Sequence, residues 1–224
     1  MTGSQQFAMM KHVSDSLAGR LAILDLYPFS LNELPAIAER RPSELLWLGG
    51  YPPVCVAPER RDLWFGSYVQ SYVERDVRQL QSVTNLSLFE RFVALCGARH
   101  GQLLNKAALA REIGISEPSV QNWLSVLQAS YVLDLLPPYH TNFGKRITKS
   151  PKLYFVDSGL AAWLTRQPDA EALWHGPSGG AFFEGWAVAE AVKYFAARGR
   201  RAPLYFWHMR SGVEVDLLVE MGAR

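Results

Sequence analysis

Two sets of residues in this chain have the types and spacing that chemistry needs. The first is acidic. Glu184 lies in an apolar helical pattern. Asp216 lies in an alternating stretch, Gly212–Glu220, where Val213, Val215, Leu217 and Val219 share one face and Glu214, Asp216 and Glu220 the other. Carboxylates on a strand face beside a helix glutamate are the oxygen donors a hard divalent cation takes, and such a cation polarises phosphate or activates water. Glu184 and Asp216 are therefore the candidate catalytic and metal-holding residues. The plainer alternative is a half-exposed edge strand with a polar outer face, because the sequence places no lysine beside them.

The second set is basic. Lys145, Arg146, Lys149 and Lys152 form a cationic run without a carboxylate, the composition of a phosphate contact. Upstream, Gln121 and Asn122 stand on the outer face of a predicted helix, and their amides can read adenine edges. No Lys or Arg lies between Glu117 and Ala129. Two readings stay open: a duplex-DNA contact built on Gln121, Asn122, Lys145, Arg146, Lys149 and Lys152, or a packing block between neighbouring domains.

The elements that must position these residues follow from caps and periodicity. Asn105 can cap a helix whose apolar side is Ala108, Leu109 and Ile113, and Gly114 suits the left-handed residue that ends it. Ser116 caps a second helix, with Pro118 tolerated in its first turn and Val120, Trp123, Leu124 and Leu127 as its buried stripe. Val132–Leu136 and Leu153–Val156 read as paired strands, Pro137-Pro138 breaking the first. Two short helices and a hairpin are the outline of a winged helix-turn-helix.

On either side lie further helices. Ser43–Leu48 is short and ends at Gly49-Gly50. Pro58–Leu80 is long, with Phe65, Val69, Val73 and Val77 at every fourth position. Leu86–Ala98 turns Phe89, Phe92, Val93 and Cys96 inward. Asp157 caps Leu160–Leu164. Gly176–Gly180 reads as a loop, and Ala181–Ala197 as a helix with Phe183, Ala187, Ala191 and Phe195 along one line. Leu204–Trp207 and Gly212–Glu220 read as a strand pair.

The 224 residues are 49% hydrophobic and 20% charged, an ordinary globular composition, and the net charge of +2 does not by itself argue for nucleic acid. Cys55 and Cys96 have no metal-ligand spacing and read as buried thiols in a reducing compartment, so zinc is not expected. No apolar run reaches membrane-spanning length and no signal peptide is evident, so no membrane partner is expected and the protein is read as cytoplasmic.

Seven stretches, taken in order, resemble one family: TGSQQF (Thr2–Phe7), SLAGR (Ser16–Arg20), GGYP (Gly49–Pro52), SYVERDV (Ser71–Val77), LYFVDSGLAAWL (Leu153–Leu164), FFEGWAVAE (Phe182–Glu190) and LYFWHMRSGVEVDLLVE (Leu204–Glu220). Together they look like the AAA-type ATPases that carry the C-terminal domain of unknown function 4143. The resemblance implies residues 1–34 as a remnant of the ATPase core, 35–98 as a helical linker, 99–152 as the winged helix-turn-helix and 153–224 as part of a domain similar to the PD-(D/E)xK nucleases. It implies an α+β, mostly helical fold, truncated at its restriction-endonuclease-like end. Thr2 and Ser4 would correspond to the polar sensor beside the nucleotide, and Arg20 to the arginine near its phosphate end. Glu184 resembles the first-helix glutamate of the nuclease-like motif and Asp216 its hairpin aspartate, with the following E-x-K expected beyond Arg224.

No GxxxxGK[ST] loop occurs anywhere in the chain. ATP and Mg2+ are thus expected of a full-length family member, and no cofactor of this chain alone. The expected function is a DNA- or partner-binding module of an ATPase. A metal-dependent nuclease on Glu184 and Asp216, or a purely structural scaffold for a toxin-like or defence protein, are the alternatives.

Overall fold

Caps and glycines set the helix boundaries along the first two thirds of the chain. The protein was analysed as a computed structural model, which describes residues 25–33, 39–72, 85–140, 149–208 and 213–221. The expected sensor and arginine residues Thr2, Ser4 and Arg20, the wing residues Lys145 and Arg146, and the turn Met209–Gly212 lie outside that set.

Helix α1 (Pro42–Leu48) begins with proline in its first turn. The Glu44 carboxylate accepts the Arg41 backbone N–H at 3.0 Å, so one orphan donor is satisfied. It ends at Gly49 with φ +72°, where a Cβ would lie 2.2 Å from Asp157 Oδ1; both backbone and space demand glycine. Helix α2 (Pro52–Val56) follows. The helix expected from Pro58 starts instead as a 3-10 turn (Pro58–Arg60) and continues as α3 (Arg61–Tyr72). Helix α4 (Leu86–Ala98) is capped by Asn85 and buries the four expected residues, Phe89, Phe92, Val93 and Cys96.

Strand β1 (Gln102–Leu103) leads into α5 (Lys106–Ile113). Asn105 accepts from the Ala108 N–H at 2.9 Å, and Gly114 ends the helix at φ +82°. Helix α6 (Glu117–Ala129) is capped by Ser116 and packs on α5 through Val120, Trp123, Leu124 and Leu127. The hairpin follows as β2 (Leu133–Leu136) and β3 (Lys152–Phe155), with Leu133 opposite Phe155 and Leu136 opposite Lys152. Strand β1 pairs with the other edge of β3, giving the antiparallel order β1-β3-β2 with β3 central.

Because side chains alternate along a strand, central β3 serves two cores. Leu153 and Phe155 enter a large cluster running from Leu46 to Phe182, in which Trp123 meets Phe89 and Phe92 edge-on at 5.3 Å. Tyr154 enters a smaller cluster with Leu136, Val188, Leu204 and Phe206. Lys152 shares Tyr154's side. The break expected at 152/153 falls inside this strand, and the larger cluster draws on residues expected in the linker, the middle and the C-terminal segment.

Asp157 caps α7 (Ser158–Leu164), as its spacing implied. Helix α8 (Ala170–His175), which the periodicity did not show, is capped by Asp169. Helix α9 (Gly179–Ala196) buries Phe182, Gly185, Val188, Ala189 and Lys193. The line Phe183–Ala187–Ala191–Phe195 read from the sequence is therefore not the innermost one, and Phe183 is 46% exposed. A Cβ on Gly185 would lie 2.0 Å from His100 Nε2, so α9 meets the end of α4 where only glycine fits.

Strands β4 (Leu204–His208) and β5 (Glu214–Val219) form an antiparallel pair. Tyr139 donates to Phe206 and Phe206 to Pro137, which ties β4 to the exit of β2. The fold is α+β. Among the described residues no helix is long and apolar enough to cross a membrane.

Candidate functional site: a lysine among carboxylates and a polar helix face

Strand alternation brings the two acidic candidates together. Lys152 and Tyr154 project from the same face of β3. Glu214 and Asp216 share a face of β5, and Glu184 projects from α9 between them. The Lys152 ammonium donates to Glu184 at 2.8 Å and to Asp216 at 2.9 Å, and it is ion-paired with Glu214 at 2.5 Å. The Tyr154 hydroxyl donates to the same Glu184 oxygen, and the Phe206 ring lies 5.6 Å from the ammonium.

Lys152 is only 5% exposed, whereas Asp216 keeps a solvent-facing edge. Burial alone would push the ammonium's pKa down; its interactions with the Glu184, Glu214 and Asp216 carboxylates outweigh it and hold the pKa above the ordinary lysine value. Burial and Glu184 together raise the Tyr154 hydroxyl well above its usual range. Both side chains thus keep their protons, and neither serves as a general base.

This corrects the placement of Lys152. An ammonium has three N–H donors and no acceptor. Here two carboxylates accept from it and a third is ion-paired with it, and at 5% exposure the ammonium is turned away from any DNA phosphate. Its spacing from Lys149 suggested one cationic run, while its alternation with Leu153 and Phe155 was the signal that it points the other way. The same signal could have supplied the lysine that the sequence reading missed beside Glu184 and Asp216.

The family resemblance implies a divalent metal at Glu184 and Asp216. The donor set does not fit one as it stands. The position equidistant from the acids belongs to Lys152 Nζ, and the N···O distances are those of charge-assisted hydrogen bonds. Among the described residues no group of three or more His, Cys, Asp or Glu side chains is arranged to hold a metal.

The second candidate lies on α6. Gln121, Asn122 and Ser125 are exposed along one side, opposite Val120, Trp123, Leu124 and Leu127. The cation missing from this helix comes from α5: Lys106 donates to Gln121 Oε1 at 2.9 Å. Arg111 and Lys149 are also exposed. Arg61, by contrast, is 3% exposed; its guanidinium lies 4.0 Å over the Trp47 ring and donates to Trp47 O at 2.9 Å. Arg61 is thus a packing element and not part of a basic surface.

Cys55 and Cys96 are free and buried, and burial pushes the Cys96 thiol up to about 12, so it is no nucleophile.

Residues 39–171 match the model of a domain of unknown function, DUF8612, and residues 179–224 match that of a second, DUF4143. Uncharacterized proteins of Mycobacterium tuberculosis and Mycobacterium bovis are each 32% identical over 225 residues, an alignment covering 99% of this chain and 49% of theirs. The chain thus spans about half the length of these curated relatives. No solved structure matches it.

Proposed function

We propose that this chain, which belongs to the DUF8612 family and carries a DUF4143 segment, is a duplex-DNA-binding module of an AAA-type ATPase. In this reading β1, α4–α6 and the β2–β3 hairpin form a winged helix-turn-helix, and α6 is the helix presented to the major groove. The observation that carries it is the exposed row Gln121, Asn122 and Ser125 with Lys106 beside it, on a helix whose opposite side is fully packed. Amides in that position suit adenine edges; Lys106, Arg111 and Lys149 suit phosphate. ATP and Mg2+ belong to the longer protein, since the phosphate loop is absent from this sequence.

Fluorescence anisotropy with a labelled duplex at low salt tests the reading. The wild-type chain binds, and K106E/K149E loses most of that affinity. Q121A/N122A keeps general affinity but loses discrimination between duplexes by about 1–3 kcal/mol per base contact. Undetectable binding at low salt would leave a protein-docking scaffold as the better account. Calorimetric titration with ATP is expected to show no heat of binding; micromolar affinity would refute the assignment of the nucleotide site to a missing half.

A further inference from the structure

We infer that Lys152 is the resident cation of the Glu184–Glu214–Asp216 cluster: a tethered ammonium in place of a metal ion, fastening α9 and the β4–β5 pair to the central strand of the three-stranded sheet. Nothing in this depends on duplex binding by α6.

Three observations meet here. The first is electrostatic: one ammonium is within ion-pair distance of three carboxylates from two elements and donates to two of them. The second is topological. Lys152 opens β3, between β1 and β2, while its partners come from α9 and β5. One charge therefore ties α9 and β5 to the side of β3 that carries the smaller core. The third is burial: a 5%-exposed lysine is stable in ionised form only where carboxylates enclose it, as they do here. Tyr154 lies beside it on β3 and turns its hydroxyl to Glu184, and Phe206 contributes only a ring face.

The three acids are not arranged for a metal as they stand; with the ammonium removed they would be left without their shared cation, a charge deficit that a divalent cation can fill as the side chains close on the vacated position. The inference therefore sets wild type and K152M apart in a direction opposite to that of a native metal site.

Mn2+ titration followed by electron paramagnetic resonance measures this directly. Wild type is expected to show no saturable binding where K152M binds, with K152M at least about tenfold tighter because ligand charge is no longer neutralised. K152M/D216N is expected to lose the gained site. Saturable Mn2+ binding by wild type that disappears in D216N would overturn the inference, as would a folded K152M that gains none. Reductive methylation of the native wild-type chain, read by mass spectrometry, gives an arm that needs no variant to fold. Lys152 is expected to stay unmodified while Lys106 and Lys149 react; methylation of Lys152 at their rate would refute its enclosure.

Discussion

His100 sits where three elements meet. Its Nδ1 accepts the Phe155 N–H at 3.0 Å, its ring lies 4.9 Å from that of Phe182, and its Nε2 faces Gly185 with no hydrogen-bond partner among the described residues. Burial pushes its pKa down to about 3. The folded state therefore holds a neutral imidazole, while the unfolded chain takes up a proton near pH 6.5. Stability from this residue is complete above pH 6.5 and is lost as pH falls from there toward 3, at up to about 1.4 kcal/mol per pH unit. Denaturant unfolding at pH 7, 6 and 5 is expected to show that loss in wild type and a flatter dependence in His100→Asn, whose side-chain oxygen can replace Nδ1. Parallel curves would mean that His100 is not the acid-sensitive group. At the same scale Lys152 shows how identity and orientation separate. A lysine three residues beyond Lys149 is read as another surface cation. Its surroundings, set by residues 32 and 64 positions away, could not be read from neighbours in the chain.

Elements were legible where local chemistry decides them. Asn105, Ser116 and Asp157 all accept the N–H that a capping residue should, so three helix starts followed from side-chain type alone. The buried stripes of α4 and α6 followed from 3.6-residue periodicity. Helix α9 did not yield to it, because small residues on several sides leave the stripe ambiguous; the buried side is chosen by His100, which only glycine at 185 admits. Strand β3 (KLYF) is buried on both faces because it is central, and composition cannot say which core each face joins. Asp157 carries the clearest prediction for an element. Its carboxylate takes the Leu160 N–H at 2.9 Å and the Gly50 N–H at 2.7 Å, joining the GGYP and VDSG stretches. Asp157→Ala removes a cap and leaves a buried N–H unpaired, so a loss of about 2–4 kcal/mol is expected from chemical denaturation. Asp157→Asn should recover much of it. A change below about 0.5 kcal/mol in Asp157→Ala would show that α1 and α7 are held by packing alone.

For the whole molecule, the folded arrangement sorts its cations into buried and exposed ones. Lys152 is spent inside, on three carboxylates, and Arg61 inside, on Trp47. Lys106, Arg111 and Lys149 remain outside. The α+β class and the order of three helices and a hairpin were legible from pattern; the short strand β1 and the division of charge were not, because both depend on contacts between distant segments. Duplex binding is the central claim, and its salt dependence tests it most directly. Each phosphate contact contributes about −0.9 to the slope of log K against log salt. We expect a clear negative slope for wild type, a slope shallower by about one in K149E, and an unchanged slope in K152M, whose charge never faces solvent. A flat salt dependence in wild type, or a slope that falls in K152M as it does in K149E, would contradict the account.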